Sequence, residues 1–145
     1  MLIYNWTAEF CSDICELEKV CFKHPWSAEM IEQTSSGDNF LGVVAVEDGK
    51  TVGYAGAIFA ADVADIALVA VSPEFTRRGI AFALVNRLCE RLAERNVENV
   101  YLEARYGNEP AIGLYKKCGF SAVGIRKKYY EDTEDAIVMF KSIKN

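Results

Sequence analysis

Ile66-Ala67-Leu68-Val69-Ala70-Val71-Ser72-Pro73-Glu74-Phe75-Thr76-Arg77-Arg78-Gly79-Ile80-Ala81-Phe82-Ala83-Leu84 reads as an apolar strand, a short proline-containing turn and the opening of a long amphipathic helix. A strand feeding a helix through small residues aims several unpaired backbone N–H groups at one spot. That spot also carries the positive end of the helix dipole, so it suits a phosphate or pyrophosphate. Gly79 lets the backbone approach an anion, Ala81 keeps the next helical position small, and Arg77 and Arg78 add charge there. The plain alternative is an ordinary strand–helix turn with two solvated arginines. Neither common nucleotide loop, G-x-G-x-x-G or G-x-x-x-x-G-K-[ST], occurs in the chain.

Outward from this segment the pattern alternates. Upstream, Cys11, Ile14, Leu17 and Cys21 recur at helical spacing and predict a helix over 8–21. Pro25-Trp26 breaks it, and Ser27 caps a second helix running to about Thr34. Phe40 to Val46 and Thr51 to Phe59 read as strands joined by the turn Glu47-Asp48-Gly49-Lys50. Asp65 to Val71 is apolar enough to be a central strand. In the helix from Gly79 to Arg95, the stripe Ala81, Leu84, Val85, Leu88 and Leu92 faces the core. A strand over 97–105, a helix over 110–118 and strands over 120–127 and 136–143 complete the chain. The order ααβββαβαββ predicts one α/β domain over 1–145, a mixed sheet with helices on both faces.

Composition narrows the class. At 145 residues and 51% hydrophobic, the chain is long enough for a single sizeable core. With no membrane-length apolar run and no basic leader, it reads as a cytoplasmic protein with no membrane partner. A net charge of −5 argues against direct nucleic-acid binding and is compatible with a cationic partner. The 5 cysteines contain no C-x-x-C pair and His24 is the single histidine, so no metal site is expected.

Two residues downstream bear chemistry. On the strand over 97–105, Val100, Leu102 and Ala104 alternate with Asn99, Tyr101 and Glu103, so Glu103 faces away from the Leu102 layer near the strand's C-terminal end. Ligands gather at that end of open α/β sheets, and a carboxylate there is either a base or an ordinary solvated side chain. Tyr115 lies mid-helix beside Lys116 and Lys117, placed either for packing or to offer a phenolic proton at a site edge. Asn108 before Pro110 is a good helix start, and Gly119 after Cys118 a good stop.

Together these segments resemble the GCN5-related N-acetyltransferase (GNAT) superfamily. Its acyl-CoA loop, [QR]-x-x-G-x-[GA], is matched by Thr76-Arg77-Arg78-Gly79-Ile80-Ala81 except at Thr76. Pro25-Trp26-Ser27, Leu102-Glu103-Ala104-Arg105, Asn108 through Phe120, Tyr129-Tyr130, and Glu134-Asp135-Ala136 with Met139 resemble, more narrowly, the RimI-like ribosomal-protein-alanine N-acetyltransferases. That group carries Pro after the tyrosine pair and often Gly before Glu-Asp; here Glu131 and Thr133 stand there.

The resemblance implies a mostly antiparallel sheet with a splayed central strand pair, and direct acetyl transfer from acetyl-CoA to an amine without a metal. It implies Glu103 as general base and Tyr115 as general acid. Val69, Ala70 and Val71 would bond the pantetheine arm, with the Val71 N–H on the thioester carbonyl. Arg77, Arg78, Gly79, Ile80, Ala81 and Phe82 would hold the pyrophosphate, and Asn108 would contact the pantetheine or place Tyr115. Trp26 would face Tyr129, Tyr130, Glu134 and Asp135 across an acceptor groove, the acids anchoring the α-ammonium or a following basic residue. Arg126-Lys127-Lys128 either meets the ribose phosphate of CoA or is solvated. The expected acceptor is the N-terminus of a protein, a ribosomal one with N-terminal alanine, and the default state is a monomer. The alternatives are the same fold acting on a polyamine, amino acid or aminoglycoside, and a non-catalytic acyl-CoA-binding module.

Overall fold

A computed structural model describes residues 1–144. Seven strands form one mixed sheet in the order β1-β2-β3-β4-β5-β7-β6. They are β1 (Leu2–Asn5), β2 (Phe40–Glu47), β3 (Lys50–Ala60), β4 (Val63–Val71), β5 (Asn99–Arg105), β6 (Ser121–Arg126) and β7 (Ala136–Ser142). The helices are α1 (Cys11–Cys21), α2 (Ala28–Ser35), α3 (Ile80–Glu94) and α4 (Glu109–Lys117). The β2–β3 turn is built as the sequence predicts: Asp48 and Gly49 both have positive φ (49° and 76°), the conformation a two-residue hairpin needs.

The sheet separates two cores. On one face α3 buries Ile80, Leu84, Val85, Leu88 and Leu92 against Val43, Ala55, Ala57, Ile66, Val100 and Leu102. On the other, Ile14 and Leu17 of α1 and Ile31 of α2 meet Trp6, Phe40, Val44, Tyr54, Leu68 and Ala70. Each fully buried aliphatic side chain contributes about 1.5–3 kcal/mol through removal from water. The expected stripe on α3 holds, except that Ile80 rather than Ala81 is its first buried member. The glycine pair Gly42↔Gly56 clears space on the α1/α2 face. A Cβ on Gly56 would lie 2.7 Å from Phe40, and one on Gly42 would lie 2.7 Å from Trp6.

The centre of the sheet is where the fold prepares a site. Gly56 pairs with Leu68 and Ala57 with Ile66, leaving Ala67 as an extra residue in β4. Such a bulge bends its strand and reverses the alternation beyond it. Ala64 and Ile66 accordingly join the α3 core, whereas Leu68 and Ala70 join the α1/α2 core. The parallel pairing of β4 with β5 covers Val63↔Asn99, Ala64↔Val100 and Asp65↔Tyr101 and stops there, although β4 continues to Val71 and β5 to Arg105. The two strands diverge from the bulge onward, which is the splayed central pair expected above.

Candidate active site

On one side of the divergence, Val69, Ala70 and Val71 pair with Ala55, Tyr54 and Gly53 of β3. Their β5-facing backbone groups lie beyond the last β4–β5 pair, which leaves them available to an extended ligand lying in the gap. The chain then passes Pro73–Phe75, a single 3-10 turn, and enters α3 through Arg77 (φ 63°) and Gly79 (φ 77°). Successive backbone N–H groups around left-handed residues form a concavity that favours anions. The first helical bond shown here runs from the Ala83 N–H to the Gly79 carbonyl at 3.1 Å, so the Ile80, Ala81 and Phe82 N–H groups precede it. No side chain caps α3 and no acidic residue occupies its first turn. By contrast, Ser27 caps α2 through the Met30 N–H at 3.1 Å, and Asn108 caps α4 through the Ala111 N–H at 3.2 Å. The α3 terminus thus keeps its positive end for an external anion, and this cradle fits a pyrophosphate. Arg77 is exposed there, while the Arg78 guanidinium stacks 4.9 Å from the centre of the Phe75 ring.

On the other side stands Glu103. Its side chain is 17% exposed, and Arg126 Nη2 lies 3.9 Å from Oε1. Burial pushes its pKa above the usual carboxylate range, Arg126 pulls it back, and Asp65 raises it again. Asp65 is the last β4 residue paired to β5, so the two carboxylates stand where the strands begin to part. A desolvated carboxylate is a stronger base than a solvated one.

Tyr115 packs against the α3 core and edge-on to Phe120, with centroids 6.2 Å apart. Burial, and then Cys118 and Tyr130, push its pKa up to about 12. Tyr130 has its own raised to about 12 by burial, against the pull of Arg105, with Tyr129, Glu103 and Glu134 adding to the rise. Tyr130 therefore stands in electrostatic reach of both Glu103 and Tyr115. Its phenol and that of Tyr129 meet edge-on at 5.1 Å, and Arg126 lies 5.2 Å over the Tyr129 ring. Arg126 is thus engaged with Glu103 and Tyr129.

Two loops meet across this region. The segment between α1 and α2 carries Trp26, and the segment between β6 and β7 carries Tyr129, Tyr130, Glu134 and Asp135. His24 Nδ1 and Glu131 Oε2, 3.2 Å apart, join them. Trp26 is fixed from behind: its N–H donates to Glu18 Oε1 at 3.1 Å, and the Tyr54 hydroxyl donates to Glu18 Oε2. Glu18 is 1% exposed and packs within the α1 core face. The Cys21 thiol at the end of α1 reaches the Val71 carbonyl at 3.6 Å, tying this side to the divergent part of β4.

The two acids expected to anchor an ammonium are engaged by other protein groups, Glu134 from the end of β5 and beyond, Asp135 from within its own loop. Glu134 accepts from Arg105 Nη1 at 3.0 Å and from the Gly107 N–H at 3.0 Å, and Asp135 accepts from the Lys128 N–H at 2.9 Å. Four residues of this region were given no role by sequence reasoning: Glu18, His24, Asp132, and Arg105, which stood only as the last letter of the Leu102–Arg105 motif. Glu18 had left a signal of another kind, a carboxylate standing inside the apolar stripe Ile14, Leu17, Cys21.

The divided sheet thus has an uncapped helix start on one lip and a half-buried carboxylate on the other. Residues 11–120 match the Acetyltransferase (GNAT) family, and the chain belongs to it. Members of this family use acetyl-CoA, and the chain is an N-acetyltransferase of that kind. It is 34% identical over 126 residues to the [ribosomal protein bS18]-alanine N-acetyltransferase of Escherichia coli K12, covering 85% of this chain and 84% of that one. The crystal structure of the ribosomal-protein-S18-alanine N-acetyltransferase from Escherichia coli superposes with a TM-score of 0.92 at 30% identity, covering 99% of this chain and 94% of that one. An aminoglycoside 6'-N-acetyltransferase complexed with coenzyme A shares the fold at a TM-score of 0.88 and 20% identity, over 100% of this chain and 98% of that one.

Proposed function

We propose that this protein transfers acetyl from acetyl-CoA to the N-terminal α-amine of a protein, with ribosomal protein bS18 and its N-terminal alanine as the acceptor. The observation that carries this reading is the 34% identity to the Escherichia coli enzyme of that specificity over 85% of the chain. The segments carrying Trp26 and Tyr130 are joined through His24 and Glu131, 3.2 Å apart, and in this reading they wall a groove for an extended chain end.

In this reading Val69, Ala70 and Val71 offer main-chain bonds to the pantetheine arm, and the Val71 N–H polarises the thioester carbonyl. The backbone of Arg77, Arg78, Gly79, Ile80, Ala81 and Phe82 holds the pyrophosphate. Asn108, through its cap on α4, sets the helix that carries Tyr115. Glu103 accepts the proton that the α-ammonium must lose, directly or through one water. An α-amine with a pKa near 7.7–8.0 needs less help than a lysine near 10.4. The amine nitrogen then bonds to the carbonyl carbon, its second proton passes to solvent, and the carbon–sulfur bond breaks.

Tyr115 supplies the proton to the departing thiolate. At about 12 its phenol is a weaker acid than a thiol in water, near 8.5. A thiolate leaving into the same desolvated setting has its own proton affinity raised by the same cause, which narrows the gap. Trp26, Tyr129 and Tyr130 wall the acceptor groove, and Glu134 and Asp135 hold the shape of that wall. The test is CoA thiol release with a bS18 N-terminal peptide, the same peptide N-terminally blocked, and a polyamine panel. Turnover that requires the free α-amine is the expected result. Turnover of polyamines alone would keep the family chemistry and remove the protein acceptor.

A further inference from the structure

We propose that Arg105 is a positioning residue that folds the β6–β7 loop into the acceptor wall, and so sets acceptor affinity separately from acetyl-CoA affinity. The inference rests on the acceptor groove proposed above.

Arg105 ends β5 and points to the same face as Glu103, the preceding residue of that face. Its Nη1 donates to Asp132 Oδ1 at 3.0 Å, Asp132 Oδ2 at 2.8 Å and Glu134 Oε1 at 3.0 Å. Its guanidinium also lies over the Tyr130 ring, 4.2 Å from the centroid. One side chain thus holds three residues of the loop: two acids by charge and one ring by stacking. The loop continues the arrangement outward. Glu134 Oε2 accepts from the Gly107 N–H at 3.0 Å, and the Tyr106 N–H donates to the Asp135 carbonyl at 3.0 Å. The connection from β5 to α4, which leads to Asn108 and Tyr115, is therefore fastened to the same loop.

The remaining contacts of this loop are polar too: the Lys128 N–H donates to Asp135, the Tyr130 N–H to the Glu134 carbonyl and the Thr133 N–H to the Tyr130 carbonyl, while Glu131 meets His24. Residues 127–133 are exposed apart from half-buried Tyr130, and Lys128 (φ 52°) and Thr133 (φ 67°) hold left-handed conformations unusual for their side chains. A segment that buries so little apolar surface takes its shape from its polar contacts. Arginine suits the task because its planar group binds two carboxylates and stacks on a ring at once; lysine, a flexible point charge, cannot do all three. The acetyl-CoA elements, β4 and the start of α3, share none of these contacts.

The experiment compares wild type with Arg105→Gln, Arg105→Lys and Asp132→Asn by steady-state kinetics in each substrate and by hydrogen exchange of the loop amides. Arg105→Gln is expected to raise the acceptor KM roughly 10-fold or more, the loss of charge-assisted hydrogen bonds to the loop, while the acetyl-CoA KM stays within about 2-fold. Arg105→Lys should recover part of that loss, and Asp132→Asn should move in the same direction by less. Loop amides over 127–135 should exchange faster in Arg105→Gln, with those of β4 and α3 unchanged. Equal rises in both KM values, or unaltered loop exchange, would overturn the proposal. A wild type that ignores the peptide would instead remove the acceptor reading, and the exchange arm would still decide the role of Arg105.

Discussion

Arg126 Nη2 stands 3.9 Å from Glu103 Oε1, reaching across from β6 to the carboxylate on β5 that burial has made more basic. The arginine acts against that burial. Arg126→Gln should therefore let the Glu103 pKa rise further. A base must be deprotonated to work, so the acid limb of the kcat/KM profile should move to higher pH, with the alkaline limb unmoved. An acid limb that stays in place in Arg126→Gln would separate Glu103 from proton removal.

Tyr115→Phe removes a phenol that stays protonated throughout the working range. Loss of a general acid typically costs about 10²- to 10⁴-fold in rate, and kcat should fall with little change in acetyl-CoA affinity. Phe keeps the packing on Phe120, so thermal stability should hold. Unchanged turnover would take Tyr115 out of the mechanism.

Gly79→Val tests the pyrophosphate cradle. A Cβ there meets nothing within 4 Å, so packing does not resist the change. The cost is the left-handed backbone, φ 77°, roughly 1–2 kcal/mol for a residue with a side chain. The fold should survive with a modestly lower Tm, while acetyl-CoA binding measured by titration calorimetry weakens. Wild-type affinity would move the pyrophosphate away from the α3 terminus.

Glu18 and Tyr54 share a buried bond, and each orphaned buried donor or acceptor costs about 1–3 kcal/mol. Glu18→Leu and Tyr54→Phe should each destabilise the protein in denaturant unfolding. The double variant should cost less than the sum, because neither partner is then left unpaired. Strict additivity would mean the two side chains do not depend on each other. Glu18→Leu should also weaken acceptor binding, since the Trp26 N–H loses its acceptor.

The sequence exposed most of the architecture because most of it is periodic. The α3 stripe, the Asp48-Gly49 turn and the Ser27 and Asn108 caps are local signals that tertiary packing reinforces. The edge strand β1 escaped notice: four residues, mostly exposed, present no alternation to read. The helix expected over 8–21 begins as a 3-10 turn, Ala8–Phe10, before α1 proper. Glu103 and Tyr115 stand out in the sequence by residue type and position, whereas Arg105 shows only as the last letter of a matched motif, without its partners. Its partners Asp132 and Glu134 lie far along the chain, and nothing in one sequence says that a strand-end arginine will gather a distant loop. The pairing of Arg126 with Glu103 escaped for the same reason, since a run of three basic residues reads equally as a phosphate contact or a solvated patch.

The residue that parts the sheet carries no chemistry. Ala67 donates no proton and fills no pocket, and what it contributes is one extra step in a count. Removing it would take out the bend that parts β4 from β5 and let the strand run on from Ile66 in unbroken alternation, with Leu68 and Ala70 still on the α1/α2 face, however faithfully every reactive group were kept. The cleft is thus written in the length of β4 more than in its letters. Substitutions along this strand should be tolerated far more readily than the loss or gain of a single position.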